Sequence, residues 1–407
     1  MITRRDSLLA LGGAAAMVSA TSGANPAAAL SGTALLGPSS FRLSGTYLNA
    51  AYTHPMPLNT AAAVRAYMER RVTPGHGFQP RPTKALFAKL INATPDEIAL
   101  VPSTSYAESF VVGALQLKNS AKAHVVTDIL HYDGSLYMYD ELARRGLGLT
   151  VLPMTKDGRI DLNRLESAIT LSTRLVAISL VSMVNGFEHD LKAVCDIAHK
   201  KGAKVYVDAI QAAGAIPIDV KASNVDFLAA STFKWLMGDF GCGFLYVRSD
   251  LLPSLARQDF GYRQMALAEY HVLPGDAPGK SQFEARPNNK DAMGYFEVGT
   301  VSIAAEIAAG VSIQNILDTG VENIQRTRQP LVDKLYARLS QRYNPMTPAG
   351  SRSPIMVFAM PDAEKNLTDR LKQADINFQL YPNRFRISPS VYNTMADIDR
   401  AIDVLMA

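Results

Sequence analysis

The chain predicts an α/β fold, with a mainly parallel seven-stranded sheet in a large domain and a smaller α+β unit after it. Three observations carry this expectation. Seven short apolar, β-branched runs occur between residues 97 and 249: "EIALVPS", "HVVTD", "LTVLPM", "RLVAISLVSMV", "KVYVDAI", "VDFLAAS" and "GFLYVRS". Helical patterns separate several of them, as in "LKAVCDIAHKKG", where Leu191, Val194, Ile197 and Ala198 share one face and Gly202 closes the end. Near-continuous apolar strands alternating with helices indicate a parallel sheet covered on both faces. The third observation is a change of pattern after residue 302, where a helical run, the apolar run "SPIMVFAMP" and the closing "MADIDRAIDVLMA" form a unit of their own.

The divisions follow from these patterns. Residues 61–305 form the large domain and 306–407 the small one. Residues 30–60, with "GTYLNAAYTHPMPLN", pack with the small domain or border the site. Between 252 and 296, prolines, glycines and mixed charge in "LPGDAPGKSQFEARPNNKDAMG" read as a long functional loop region. At 407 residues and 48% hydrophobic content the chain exceeds what one core usually holds, which agrees with two domains. A formal net charge of +4 gives no case for a nucleic-acid partner. Cys195 and Cys242 are the only cysteines, too few for a disulfide framework, and nothing in their settings brings them together.

Residues 1–29 read as an address. Arg4 and Arg5 precede a weakly apolar Gly/Ala stretch and a small-residue A-x-A ending at Ala29. The segment resembles a twin-arginine export signal, although Ser7 and Leu9 stand where that pattern has an aromatic residue and a lysine. The resemblance implies a periplasmic protein exported after folding. No second long apolar stretch follows, so no membrane span is expected in the mature chain.

The chemistry centres on "STFKWLMGDFGCGFLY". Ligands of open α/β sheets bind beyond the carboxyl ends of the strands. At those ends fall Asp208, Ser182 and Asn185, the run Ser103, Thr104 and Ser105, and Ser231 just before Lys234. A lysine that attacks a carbonyl must be partly desolvated to keep its amine free, and Phe233 and Trp235 supply an apolar setting. Singly, each position has a plainer reading: a strand-end Asp caps a turn and a C-terminal Arg is solvated. As a set they do not. Gly238, Gly241 and Gly243 have the wrong spacing for a dinucleotide loop and precede a strand instead of following one. Cys195 and His199, at i and i+4 with His189 nearby, are better explained by a helix surface than by a metal, and no metal is expected.

"VDAIQAAG", "STFKWLMGDFGCGFLY", "FEVGT" and "RISPSVYNT", in this order and spacing, resemble the class V aminotransferase superfamily of pyridoxal 5′-phosphate (PLP) enzymes of fold type I. The resemblance covers the chain after the leader and implies PLP as cofactor. Lys234 matches the lysine joined covalently to the cofactor. Asp208 matches the carboxylate that keeps the ring nitrogen protonated. Gln211 matches the contact to the phenolic oxygen, with Ser182 or Asn185 assisting. Thr104, Ser105 and Ser231 match phosphate contacts. Tyr132 falls over the ring face when aligned back from "ELARRG", and a one-residue slip selects His131 instead. Thr300 matches a residue reaching the neighbouring subunit's phosphate, which implies a homodimer. Arg386 matches the arginine that takes the α-carboxylate of a small amino acid substrate. Asn49 and Tyr52 stand as further substrate contacts.

Two departures matter. Phe233 occupies the place where the family commonly has histidine before the lysine. Residues 345–390 contain no cysteine, so the mobile nucleophilic thiol of cysteine desulfurases has no counterpart there. The short "NFQLYPNRFRIS" is closest to the isopenicillin N epimerase-like branch. The expected reaction is epimerisation or racemisation, with Tyr132, His131, Tyr52 or His54 as the second acid. A β-eliminating (C–S) lyase or an aminotransferase shares the first steps, and a cofactor-binding protein without catalysis stands further off.

Overall fold

The computed structural model describes residues 35–74 and 81–407. The twin-arginine-like leader lies outside the described residues.

All seven expected strands form, and they build one sheet. They are β1 (Ile98–Val101), β2 (His124–Asp128), β3 (Gly148–Leu152), β4 (Thr173–Ser179), β5 (Lys204–Asp208), β6 (Phe227–Ser231) and β7 (Gly243–Val247). Their spatial order is β1-β7-β6-β5-β4-β2-β3. Only β7 runs against its neighbours; the other pairings are parallel. Strands β1, β5, β6 and β7 are almost wholly buried, as a sheet covered on both faces requires. Two clusters lie on its opposite faces. One holds Val207, Leu228, Phe244 and Trp235; the other holds Tyr206, Phe227, Ala229 and Leu245.

The helices follow the sequence pattern. They include α1 (Leu58–Arg70), α2 (Thr83–Leu90), α3 (Thr104–Ala114), α4 (Asp133–Arg144) and α5 (Leu191–Lys200). Helix α5 is capped by Asp190, whose side chain accepts from the Ala193 amide, and the chain leaves it through Gly202 at φ 79°. Val194, Cys195 and Ala198 form its buried face. This corrects the expectation that a helix surface explains Cys195: the thiol is in the core, while His199 pairs with buried Asp226 at 2.7 Å. Both cysteines are free.

Helix α6 (Ile303–Thr319) packs on α1 and α2, and its Ala305, Ala309, Ile313 and Ile316 enter the large core. The small domain's own cluster starts with α7 (Val321–Leu339) and includes Leu331, Leu335, Phe358, Phe385 and Ile398. Its sheet is antiparallel, and its two central strands are Met356–Ala359 and Arg384–Ile387. The N-terminal segment joins both domains. Thr46–Tyr47 pairs with Ile376–Asn377, Leu48 enters the small cluster, and the His54 amide donates to the Phe233 carbonyl beside the candidate lysine.

The stretch 252–296 departs from the expected loop. It contains an antiparallel hairpin, β8 (Met265–Tyr270) and β9 (Phe283–Pro287). Proline and glycine concentrate in its tip and not throughout, so the composition concealed two short strands.

The face of the sheet under α2 is held by Phe87 stacked on Phe244, with ring centroids 4.2 Å apart and both side chains fully buried. Phe244→Ala is expected to cost about 3–5 kcal/mol of stability, read as a lower denaturant midpoint.

Candidate active site

The expected residues meet where the strands end. Asp208 is the last residue of β5, Ser231 the last of β6, and Ser103 precedes α3 at the end of β1. They line one pocket, with a cavity of about 170 Å³, together with Thr104, Ser105, Tyr132, Gln211, Phe233 and Lys234.

Each position has a local cause. After β6 the chain turns sharply: the Met237 amide donates to the Lys234 carbonyl, and Met237 takes the left-handed conformation at φ 56°. This turn projects Lys234 into the pocket and folds Trp235 under it. The indole N–H donates to Gln211 Oε1 at 2.8 Å, and Gln211 Nε2 donates to the Ala51 carbonyl at 3.0 Å. The lone tryptophan thus fixes Gln211 from below instead of lining the site. Gly214, at φ 88°, lies against the Trp235 carbonyl; a Cβ there would come within 2.4 Å of that oxygen. Phe233, in the place of the family's histidine, lines the pocket and stacks on Phe240 at 4.2 Å.

The electrostatics are unusual. Burial pushes the Lys234 amine down to about 8, partly opposed by the Asp208 charge and reinforced by Arg386. Burial also raises Asp208, while the Ile210 amide, donating to Oδ1 at 2.9 Å, and the His131 charge pull it back. Arg386 is only 3% exposed. Among the described residues its one side-chain hydrogen bond is from Nη1 to the Met183 carbonyl at 3.4 Å, and its Nε is buried without a partner. Among the described residues no carboxylate pairs with it. A buried guanidinium in this state is costly unless an anion arrives.

At the other end, α3 opens with Ser103 in extended backbone as its N-cap. The Ser231 hydroxyl accepts from the Thr104 amide at 2.9 Å. Hydroxyls and a helix N-terminus converge there, a setting suited to a phosphate. A dianion cradle, a lysine amine, a buried carboxylate and an orphaned guanidinium fit PLP and an amino acid.

Other expected residues stand elsewhere. His131 turns away from the pocket: Nε2 meets Glu108 at 3.1 Å and Nδ1 meets Ser179 at 2.9 Å. Of the two alternatives for the ring face, Tyr132 therefore lines the site. Ser182 donates to the Leu130 carbonyl, and Asn185 binds the Gly158 carbonyl and the Phe187 amide. Both build the turn after β4 and neither lines the pocket, which corrects their assignment as cofactor contacts. His54 is buried, with both nitrogens engaged by the Pro55 carbonyl and Ser390, and burial pushes it down to about 4. It is a neutral packing residue against Trp235 and Tyr392, not a second acid. Asn49 bonds Asn377, and Tyr52 is 61% exposed; neither lines the pocket. Thr300 is exposed and hydrogen-bonded to Tyr262. Val181, Met183 and Ile210 line the site and were missed, because apolar residues at strand ends carry no signal distinct from core.

Comparison with known proteins agrees with this geometry. The class V aminotransferase family model matches residues 78–400. An uncharacterized aminotransferase of Bacillus subtilis, YcbU, is 30% identical over 322 residues, 79% of this chain and 81% of the relative. A probable cysteine desulfurase of Methanothermobacter thermautotrophicus is 32% identical over 305 residues, 72% of each chain. Among solved structures, the cysteine desulfurase CsdA of Escherichia coli has a TM-score of 0.78 at 20% identity, covering 95% of this chain and 98% of its own. A C-DES mutant with glycine covalently linked to its PLP cofactor has a TM-score of 0.77 at 18% identity, covering 89% and 96%. C-DES is described as a cystine C–S lyase. The family match and the fold give one answer: this chain belongs to the class V aminotransferase family, whose enzymes depend on pyridoxal 5′-phosphate.

Proposed function

We propose that the protein is a PLP-dependent lyase that eliminates a β-substituent, of the C–S type, from a small α-amino acid. The observation that carries this reading is a desolvated lysine in the pocket beside a buried arginine, Arg386, which bonds the carbonyl of pocket-lining Met183, bears on Lys234 through its charge and has no carboxylate partner among the described residues. When bound, the cofactor supplies an aldehyde for an amine to join and a protonated ring that draws electron density from the α-carbon.

The chain's own residues supply the rest. The Ser103–Ser105 turn holds the phosphate through hydroxyls and amide N–H groups. Asp208, with one oxygen fixed by the Ile210 amide, offers the other to the ring nitrogen. Tyr132 flanks the pocket. Arg386 takes the substrate carboxylate in its planar fork and so orients the α-carbon toward Lys234. Lys234 Nζ takes the α-proton as general base.

Elimination is favoured over epimerisation by the acid–base inventory. Epimerisation needs a second group that exchanges protons on the opposite face. His54 and His131 are engaged elsewhere, Tyr52 is outside the pocket, and burial with the nearby Asp133 and Asp208 charges raises the Tyr132 phenol. Lys234 is left as the group that titrates near neutrality. The names of the desulfurase relatives and of the C–S lyase C-DES support the same class. Sulfur transfer onto an enzyme thiol is not part of the proposal: Cys195 and Cys242 are buried, and burial pushes the Cys195 thiol up to about 12. Aminotransfer is the second reading, favoured by the YcbU likeness. The same proposal includes a homodimer, supported by exposed Thr300 beside a hairpin region that exposes Phe260, Tyr262 and Leu273. Export through the twin-arginine route is proposed from the leader sequence alone.

Incubation of the PLP-loaded protein with cystine, cysteine and S-alkyl cysteines tests the reaction class. Release of 2-oxo acid, ammonia and a sulfur product in equal amounts is the expected result. Racemisation without 2-oxo acid contradicts it, and transfer of the amino group to an added 2-oxo acid selects the aminotransferase. On mixing apoprotein with PLP, the rate of appearance of the visible absorption band should rise about tenfold per pH unit and level off above about 8, because only the neutral Lys234 amine attacks. Arg386→Leu should raise KM roughly 10–100-fold, the loss of one or two charge-assisted hydrogen bonds to the carboxylate, with a smaller effect on kcat.

A further inference from the structure

Beneath the pocket lies a buried polar network that the proposed chemistry does not use. Glu108, 2% exposed on α3, collects three donors. Nε2 of His131 lies 3.1 Å from its Oε1, the Tyr139 hydroxyl donates to the same oxygen at 2.8 Å, and Ser135 donates to Oε2. His131 is 1% exposed, and its Nδ1 lies 2.9 Å from Ser179 Oγ. Ser179 ends β4 and is the ladder partner of Asp208 at the end of β5. The imidazole therefore links Glu108 on α3, through Ser179, to the strand ends where Asp208 stands.

Charge balance decides its state. Two carboxylates in one dry region destabilise each other, and one cation between them relieves both. Burial opposes protonation of His131, but Glu108, through charge and hydrogen bond, and then Asp208 and Asp128, outweigh it and raise the imidazole above its ordinary range. Tyr139 and Tyr206 face the same region, and burial with the Glu108 charge keeps both phenols protonated. Lys234 is the other cation that bears on Asp208. Its charge is lost once its amine is free to act as a nucleophile.

We propose that His131 is a positioning residue: held as an imidazolium by Glu108 and tethered to the Asp208 strand through Ser179, it keeps Asp208 ionised and thereby the cofactor's ring nitrogen protonated. This rests on the PLP reading and adds to it a source of positive charge that does not touch cofactor or substrate. The arrangement also explains why His131, adjacent to Tyr132, turns inward.

The test is the pH titration of the visible band of the PLP-loaded protein, with cofactor retention on dialysis and apoprotein melting as independent readouts. His131→Gln removes the cation but keeps a donor and an acceptor. Its titration midpoint should move to higher pH by about one unit, because losing a nearby positive charge makes the cationic linkage at Lys234 more basic. Glu108→Gln should move it in the same direction, since His131 then gives up its proton. The double variant Glu108→Gln/His131→Gln removes the Glu108 carboxylate together with its partner and serves if either single variant misfolds. It should retain the His131→Gln midpoint. Superimposable titration curves for wild type and variants, with only a lower melting temperature, would reduce the network to a structural role and overturn the proposal. A lower midpoint in Glu108→Gln would overturn the part assigned to Glu108. If wild-type protein develops no visible band with PLP, the functional reading itself fails.

Discussion

The site depends on burying two cations, Lys234 in the pocket and Arg386 near enough for its charge to act on that lysine, with Asp208 as the buried acid that bears on Lys234. Each of the three pays for burial in a way visible in its protonation: the lysine is lowered to about 8, the guanidinium is lowered, and the carboxylate is raised. Such a group of charges is stable only when ligands complete it. A cofactor with a basic ring nitrogen and an anionic tail, and a substrate with a carboxylate, supply the missing partners. The charges that burial disfavours are thus the ones a cofactor and a substrate carboxylate complement.

The fold meets this constraint by converging elements of both sheets. β5 and β6 deliver Asp208 and Ser231, α3 brings its N-terminus, and Arg386 of the small sheet reaches the carbonyl of pocket-lining Met183. A buttress runs beneath. Arg328 on α7, fully buried, donates to the Ala215 carbonyl at 2.9 Å and lies 5.8 Å from the Trp235 ring, which in turn fixes Gln211. α7 thereby touches the lysine turn through Trp235, while Arg386 of the small sheet bonds pocket-lining Met183.

The seven strands were legible because each is a short apolar run bounded by polar residues, and buried parallel strands need little else. Lys234, Asp208 and the Ser103–Ser105 turn were legible as polar residues at strand ends, and Gln211 and Tyr132 through the family resemblance. Ser182 and Asn185 were misread for the same reason: a polar residue after a strand also builds turns, and sequence does not distinguish a hydroxyl spent on the Leu130 carbonyl from one left for a ligand. The choice between His131 and Tyr132 depended on the Glu108 partner from another helix, 23 residues away, invisible to local reading. The hairpin of β8 and β9 was hidden by the composition of its tip; α6 was expected as a helical run from residue 302, but its many apolar residues gave no sign that it packs into the large core.

Neither cysteine lines the pocket, so the proposed chemistry rests on Lys234. Borohydride reduction of the PLP-loaded protein, followed by peptide mass mapping, tests this directly. The account predicts a single phosphopyridoxyl adduct on the peptide that carries Lys234. An adduct on another lysine, or none, would contradict it.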